Sequence, residues 1–157
     1  PQHSDAQRLQ KKLHAKGVQS VVASNTSVFQ SEQATQLLVL LNAILDYKNH
    51  QLQRNALAST LVHLTFDEVY TFIHNEKQWS QWCESLKQLN QTWEKQGFIS
   101  MFLQMVERLK LVNGMKRSGY LDRSLTNLMH LAELIQQASK KHSTMGDLTN
   151  WYATQIK

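Results

Sequence analysis

The sequence is poor in the residues that interrupt helices. Its 157 residues include one proline and five glycines, whereas strand-rich and loop-rich folds use more of both in their turns. The single cysteine, Cys83, excludes an internal disulfide and fits a reducing compartment. No apolar run approaches the roughly 20 residues that a membrane-spanning helix needs, and no stretch has the pattern of a signal peptide. These absences favour a helical globular domain.

The sequence also lacks the short motifs of common enzymes. The glycines are isolated, so neither a G-x-x-x-x-G-K-[ST] nor a G-x-G-x-x-G phosphate loop can be drawn. The seven histidines form no H-x-x-x-H pair, and no Cys–His set has zinc spacing. Nothing near Cys83 in the sequence would lower its pKa, which predicts a buried structural thiol. The sequence therefore predicts no catalytic residue, no metal site and no cofactor site in this chain.

Apolar residues at helical spacing dominate what is present. Leu121 to Ser139 is the clearest case, because Leu, Met, Ala and Ile recur there every three or four residues and form one wide apolar face. A helix this apolar is expected near the centre of the domain. Other helices are predicted over residues 4–16, 32–45, 52–64, 65–73, 76–96 and 98–112, and after Thr144. We therefore predict an all-α fold, a single bundle of about seven or eight helices.

Two segments depart from the helical pattern. Val18 to Ala23 (VQSVVA) is short and β-branched, which predicts a strand within residues 18–23, yet the sequence offers it no obvious partner. Either a partner strand goes undetected or its sheet lies outside this piece of chain. Asn113 to Gly119 (NGMKRSG) is predicted to be an irregular loop that presents basic side chains.

Aromatic and histidine side chains have a structural and a functional interpretation. Tryptophans beside basic residues can stack on nucleobases, but at helical spacing among apolar residues core packing is favoured. His130 lies on the polar edge of the central helix, where a hydrogen-bonded structural histidine is the expected role. The tryptophans are Trp79, Trp82, Trp93 and Trp151.

Positive charge is unevenly distributed. The formal net charge is +5, and residues 108–142 alone carry seven Lys and Arg against two carboxylates. Clustered positive charge favours a polyanionic partner, whereas the alternative is an ordinary solvated surface. The candidate contact residues are Lys116, Arg117, Arg123, Lys140 and Lys141.

Four segments, in order, resemble one protein family. Residues 17–59 contain GVQSVV, SVFQSEQA and LQRNALAS, similar to the family's G-[VI]-x-S-V, S-V-F-x-S-x-E-A and L-R-x-A-L-A-T. Residues 93–102 (WEKQGFISMF) resemble W-x-x-x-G-F-x-x-M, and residues 123–139 (RSLTNLMHLAELIQQAS) resemble R-R-L-T-[ND]-L-L-H-L-x-E-L-L-Q-x-A. Residues 148–156 (LTNWYATQI) are similar to L-x-x-W-L-x-x-Q.

Together these segments resemble the beta subunit of exodeoxyribonuclease V, the RecB family of bacterial helicase–nucleases. The sequence departs from the family at three places. Ser124 stands where the family has a second basic residue, Gln33 stands where it has Glu, and a proline expected near Tyr47 is absent. No contact made by that second basic residue is carried over to this chain.

The resemblance implies a position within a larger protein. In superfamily 1 helicases, an S-V-F-type segment leads from the second RecA-like motor domain into a helical insertion called subdomain 2B. By this resemblance residues 1–24 end a motor-domain segment, and residues 25–157 form a helical accessory domain. The chain begins at Pro1 without methionine, so we expect a piece of a longer protein. The resemblance also implies ATP and Mg as cofactors of the parent, whereas the Walker motifs and the nuclease domain have no counterpart in this chain.

Three functional hypotheses follow. The resemblance implies a non-catalytic domain of an ATP-dependent DNA helicase and exonuclease of double-strand-break repair and recombination, in the bacterial cytoplasm. Such a domain would contact duplex DNA weakly and without sequence preference, or sister subunits, and no membrane. The alternative is a stand-alone helical protein-interaction module with no nucleic-acid role. An enzyme in its own right would need polar groups clustered in a cleft, and we expect no ATPase activity from this chain.

Overall fold

A computed structural model describes Asn25 and residues 27–157, and shows eight helices between residues 32 and 156. They are α1 (Glu32–Leu45), α2 (His50–Leu57), α3 (Phe66–His74), α4 (Glu76–Gln96), α5 (Phe98–Arg108), α6 (Leu111–Ser118), α7 (Leu121–Ala138) and α8 (Met145–Ile156). No strand occurs between residues 27 and 157, and the predicted all-α fold is confirmed. The helix predicted over residues 4–16 and the strand predicted over 18–23 lie outside the described residues.

Side-chain caps explain where several helices begin. The predicted capping box is present at α3, where Glu68 N donates to Thr65 Oγ1 at 3.1 Å and Thr65 N donates to Glu68 Oε1 at 2.9 Å. These bonds lower the pKa of the exposed Glu68 carboxyl. Ser31 and Thr144 cap α1 and α8 through their hydroxyl oxygens, which accept from Ala34 N and Asp147 N. Each cap satisfies N–H groups that lack a partner within the helix.

Helices α1 and α7 form the middle of the bundle. Helix α1 contacts α2, α4, α7 and α8, and α7 contacts α1, α5, α6 and α8. The predicted central position of α7 is confirmed, although α1 shares it. Their facing apolar stripes are almost completely buried, at Leu37, Leu40, Leu41 and Ile44 of α1 and at Leu128, Leu131, Ala132 and Ile135 of α7.

Buried polar side chains connect the helices at fixed points. The Tyr152 hydroxyl on α8 donates to the Ala34 carbonyl of α1 at 2.8 Å, and burial raises the pKa of this phenol. Asn90 on α4 donates to the carbonyls of Ile44 and Leu45, in the last turn of α1, at 3.0 and 3.3 Å. Because buried polar groups are costly without partners, these bonds fix the packing of α8 and α4 on α1.

The predicted core role of the tryptophans is confirmed. Trp82 and Trp93 are buried, while Trp79 and Trp151 are half-buried and pack against the core. The thiol of Cys83 is partly buried, and desolvation raises its pKa, as expected for a structural thiol.

The structure corrects the sequence prediction between residues 98 and 119. The helix predicted over residues 98–112 ends at Arg108, because Lys110 adopts a left-handed conformation with φ 55° and ψ 45°. Residues 113–119, predicted to be a loop, mostly form α6. The helix predicted over residues 52–64 likewise ends early, at Leu57, and residues 58–64 form a turn.

Gly114 explains why the loop prediction was wrong. Asn113-Gly114 is a typical turn signal, but here the glycine lies inside α6, against the turn of residues 58–64. A Cβ at Gly114 would overlap the Leu61 carbonyl oxygen and lie 2.7 Å from that of Val62. The glycine therefore permits close packing of a helix on backbone.

Candidate nucleic-acid interface

The five predicted contact residues divide into two groups at opposite ends of α7. Lys116 and Arg117 lie in the last turn of α6 and Arg123 in the first turn of α7, whereas Lys140 and Lys141 follow its last residue. Helix α7 has 18 residues, so a rise of 1.5 Å per residue separates the two groups by about 27 Å. The two groups would therefore contact different phosphates.

Sequence reasoning missed two cations that join the first group in space. Arg108 ends α5 and Lys110 precedes α6, so both lie where α5 and α6 meet. Both residues belong to the basic cluster of residues 108–142, but the sequence predicted that they lie within one helix over residues 98–112. We call the following residues the basic end of the bundle: Arg108, Lys110, Lys116, Arg117 and Arg123.

One side of the basic end faces a groove of about 650 Å³. Arg108, Lys110 and Arg117 line the groove together with Asp67 and Glu68 of α3. Arg117 also helps to lower the pKa of the Glu68 carboxyl. Since carboxylates share the groove with the cations, its charge is mixed, and it is a poorer phosphate site than the cation count suggests. Its apolar lining is formed by Leu57, Val62, Leu64, Phe72, Trp82 and Leu109.

Arg117 also has a structural role that the sequence did not indicate. Its Nη2 donates to the Val62 carbonyl at 2.6 Å, and its Nε donates to the His63 carbonyl at 3.2 Å. His63 is one of two non-glycine residues with positive φ among those described, at 56°. The guanidinium thus holds the same turn against which Gly114 packs, while its charge remains at the basic end.

The other side of the basic end is a smaller cavity around Tyr120, which we call the tyrosine cavity. Its volume is about 420 Å³. Tyr120 is 62% exposed, and the Arg123 guanidinium carbon lies over its ring, 5.4 Å from the ring centroid, within cation–π range. Gly119 turns the chain between α6 and α7 with φ +83°. The cavity is lined by Lys116, Gly119, Tyr120, Leu121, Asp122 and Arg123.

The second group of cations lies beside a histidine–tryptophan stack. His142 Nδ1 is 2.9 Å from Asp147 Oδ2, and the imidazole stacks on the Trp151 ring at a centroid distance of 5.9 Å. Lys140 and Lys141 are exposed just before this stack. The stack fixes the connection between α7 and α8, so these two lysines have a defined position relative to α7.

His130 has the structural role predicted for it. Its Nε2 lies 2.8 Å from Asn25 Oδ1, which ties the middle of α7 to the segment before α1. Burial lowers the pKa of the imidazole, and the nearby Glu133 carboxylate partly opposes this effect. The fold therefore favours neutral His130.

We expect His130 to make stability depend on pH. Because its folded pKa is lowered, the unfolded chain binds the proton more readily below about pH 6.5. The contribution of neutral His130 to the free energy of unfolding is present above that pH and is lost as the pH falls through the folded pKa. Urea unfolding measured between pH 7.5 and 5 should show a steeper loss of stability for the wild type than for His130→Gln. Parallel curves would contradict this role.

Side chains that could bind a metal ion are dispersed over the described residues. Among Asn25 and residues 27–157, no three His, Cys, Asp or Glu side chains come together as metal ligands would. None of the described helices combines the length and the hydropathy needed to cross a bilayer.

Comparison with known proteins shows what the chain is similar to. No protein-family model matches it, but its matches among curated proteins include three RecBCD enzyme subunits RecB. The protein from Haemophilus influenzae is 31% identical over 155 residues, which is 98% of this chain. The proteins from Escherichia coli and Buchnera aphidicola are 26% identical over 140 residues and 21% identical over 153 residues.

The chain is therefore similar to RecB sequences over nearly its whole length, and the resemblance predicted from its motifs is confirmed. The matched regions cover 88 to 98% of this chain. The chain itself spans only about 13% of the length of the H. influenzae and Buchnera proteins, and 12% of the E. coli protein.

Proposed function

We propose that this chain is a non-catalytic helical domain of a bacterial helicase–nuclease of DNA repair and recombination, and that it contacts DNA. The observation that carries the proposal is the similarity to RecB over nearly the whole chain. Residues 25–157 are the accessory domain in this proposal, and residues 1–24 end a motor-domain segment. ATP and Mg act elsewhere in the parent, in the bacterial cytoplasm.

Charge and geometry support a DNA contact at both ends of α7. Lys116 and Arg123 are exposed at one end, and Lys140 and Lys141 at the other. The separation of about 27 Å corresponds to about eight base pairs of B-DNA. A duplex lying along α7 would meet cations at both ends, and contacts to phosphates alone give weak, salt-sensitive binding without sequence preference.

An anisotropy titration of a labelled duplex at ~50 mM salt tests the DNA contact. The double variants Lys116→Gln/Arg123→Gln and Lys140→Gln/Lys141→Gln should each weaken binding by about tenfold. Each should also reduce the slope of log K against log salt by about two, because two phosphate contacts are lost. Arg117 is left intact because its substitution would disturb the turn of residues 58–64.

Lys77→Gln/Lys87→Gln on α4 is the matched control. Both lysines are exposed, and residues 65–95 carry five carboxylates against three lysines. This control should bind DNA like the wild type. A wild-type chain that does not bind at ~50 mM salt, or an equal loss in the control, would count against direct DNA contact.

Helix α3 favours a protein contact as the second function. None of its nine residues, all of them described, is buried. Phe66 is 85% exposed and Tyr70 is 60% exposed, and Tyr70 stacks on His74 with ring centroids 4.1 Å apart. This aromatic face lies beside Asp67 and Glu68, so it is better suited to a protein surface than to DNA. Sister subunits of the parent enzyme are the proposed partners.

A further inference from the structure

Tyr120 differs from the other exposed aromatic residues of the described chain in its electrostatic surroundings. Its ring adjoins two cations, Lys116 and Arg123, in the tyrosine cavity. Phe66 and Tyr70 are also exposed, but they lie beside Asp67 and Glu68 in the acidic first turn of α3. An exposed aromatic ring beside cations is the arrangement that proteins use to bind unpaired nucleotides.

We propose that the tyrosine cavity binds an unpaired nucleotide of single-stranded DNA, with its base stacked on Tyr120 and its phosphates near Lys116 and Arg123. This inference rests on the proposed DNA contact and specifies the form of DNA at one end of α7. A base inside a duplex is already stacked on its neighbours, so only an unpaired base offers its face to the ring.

The dimensions of the cavity agree with this ligand. Its volume of about 420 Å³ lies within the range of roughly 300 to 1,000 Å³ typical of small-molecule sites. Arg123 lies over one face of the Tyr120 ring, 5.4 Å from its centroid, so the proposed base stacks on the opposite face with the guanidinium charge close to it. Asp122 also lines the cavity, and its carboxylate disfavours a phosphate on its own side.

Stacking on tyrosine should give little sequence preference. All four bases have a π-face, and the cavity is lined mainly by two cations, one carboxylate, Tyr120 and Leu121. The cations contact phosphates, which carry no sequence information. We therefore expect binding at this end of α7 to depend on whether the DNA is single-stranded or duplex, rather than on its base sequence.

The test compares a labelled oligonucleotide of ~15 deoxythymidines with a duplex of equal length, by anisotropy at ~50 mM salt. Tyr120→Leu keeps an apolar side chain but removes the ring, and should weaken single-strand binding by about tenfold while changing duplex binding less than twofold. Tyr120→Phe keeps the ring and should bind like the wild type. Tyr70→Leu, the matched exposed aromatic on α3, should change neither affinity.

The outcomes separate this inference from the proposed function. If Tyr120→Leu leaves single-strand binding unchanged, or weakens single-strand and duplex binding equally, the stacking role is wrong. The DNA contact itself still stands in that case if Lys116→Gln/Arg123→Gln weakens binding. If neither DNA form binds the wild-type chain, the proposed DNA contact fails as well.

Discussion

Replacing Gly114 with alanine is expected to lower the free energy of unfolding by about 3 kcal/mol, although alanine is the better helix former. The added Cβ would overlap the Leu61 carbonyl oxygen and lie 2.7 Å from the Val62 carbonyl oxygen. Both are backbone atoms of a turn that Arg117 holds in place, so a side-chain rotation cannot relieve the clash. Thermal unfolding should show a decrease in Tm of ~10 °C.

Gly146→Ala is the matched control for this substitution. Gly146 is also inside a helix, at the second residue of α8, and a Cβ there would meet no heavy atom within 4 Å. This variant should gain up to about 1 kcal/mol from helix propensity. If Gly114→Ala were as stable as Gly146→Ala, the close approach of α6 to the turn would be wrong.

Asn90→Asp is expected to cost about 3 to 4 kcal/mol at neutral pH. The Asn90 amide donates to the Ile44 and Leu45 carbonyls, in a last turn of α1 that carries no basic residue. A carboxylate there would be buried, would donate to neither oxygen and would face the negative end of a helix dipole. Urea unfolding at pH 7 measures the loss directly.

The cost of Asn90→Asp should diminish as the pH is lowered. Burial and the neighbouring carbonyls raise the folded pKa of the new carboxyl, so the folded state binds the proton more readily than the unfolded chain. Stability is therefore regained toward the ordinary Asp pKa of about 3.9, where a protonated carboxyl can donate one bond. Asn150→Asp, at an exposed position of α8, is the control. Its free energy of unfolding should stay near that of the wild type both at pH 7 and at the lower pH.

The sequence predicts most of the helices because their signals are local. The apolar spacing of Leu121 to Ser139 and the Thr65–Glu68 capping box depend only on neighbouring residues. The break at Lys110 has no such signal, because the left-handed conformation falls on a lysine rather than a glycine. A glycine such as Gly114 is typical both of a turn and of a helix that packs closely on another part of the backbone. Only the packing of α6 on residues 58–64 shows which of the two applies here.

The candidate site was less predictable because charge in a sequence does not reveal the partners of a side chain. Arg117 stands beside Lys116 in the chain, yet it bonds to carbonyls more than 50 residues away in sequence. The sequence alone assigns no role to Tyr120, because the position of an aromatic residue beside a predicted loop does not show whether its ring is exposed. Even so, an aromatic residue between Lys116 and Arg123 is a pattern that could have indicated a stacking surface.

The contacts that hold α6 have a consequence for the thermodynamics of any association at the basic end. Lys116 lies on α6, whose position is fixed by Gly114 and by the two bonds of Arg117. Arg123 lies on α7, which packs against α6. Binding there would immobilise two side chains but would not have to order a loop, so the protein loses little conformational entropy. We therefore expect release of counterions from the DNA, rather than coupled folding of the protein, to dominate the free energy of binding.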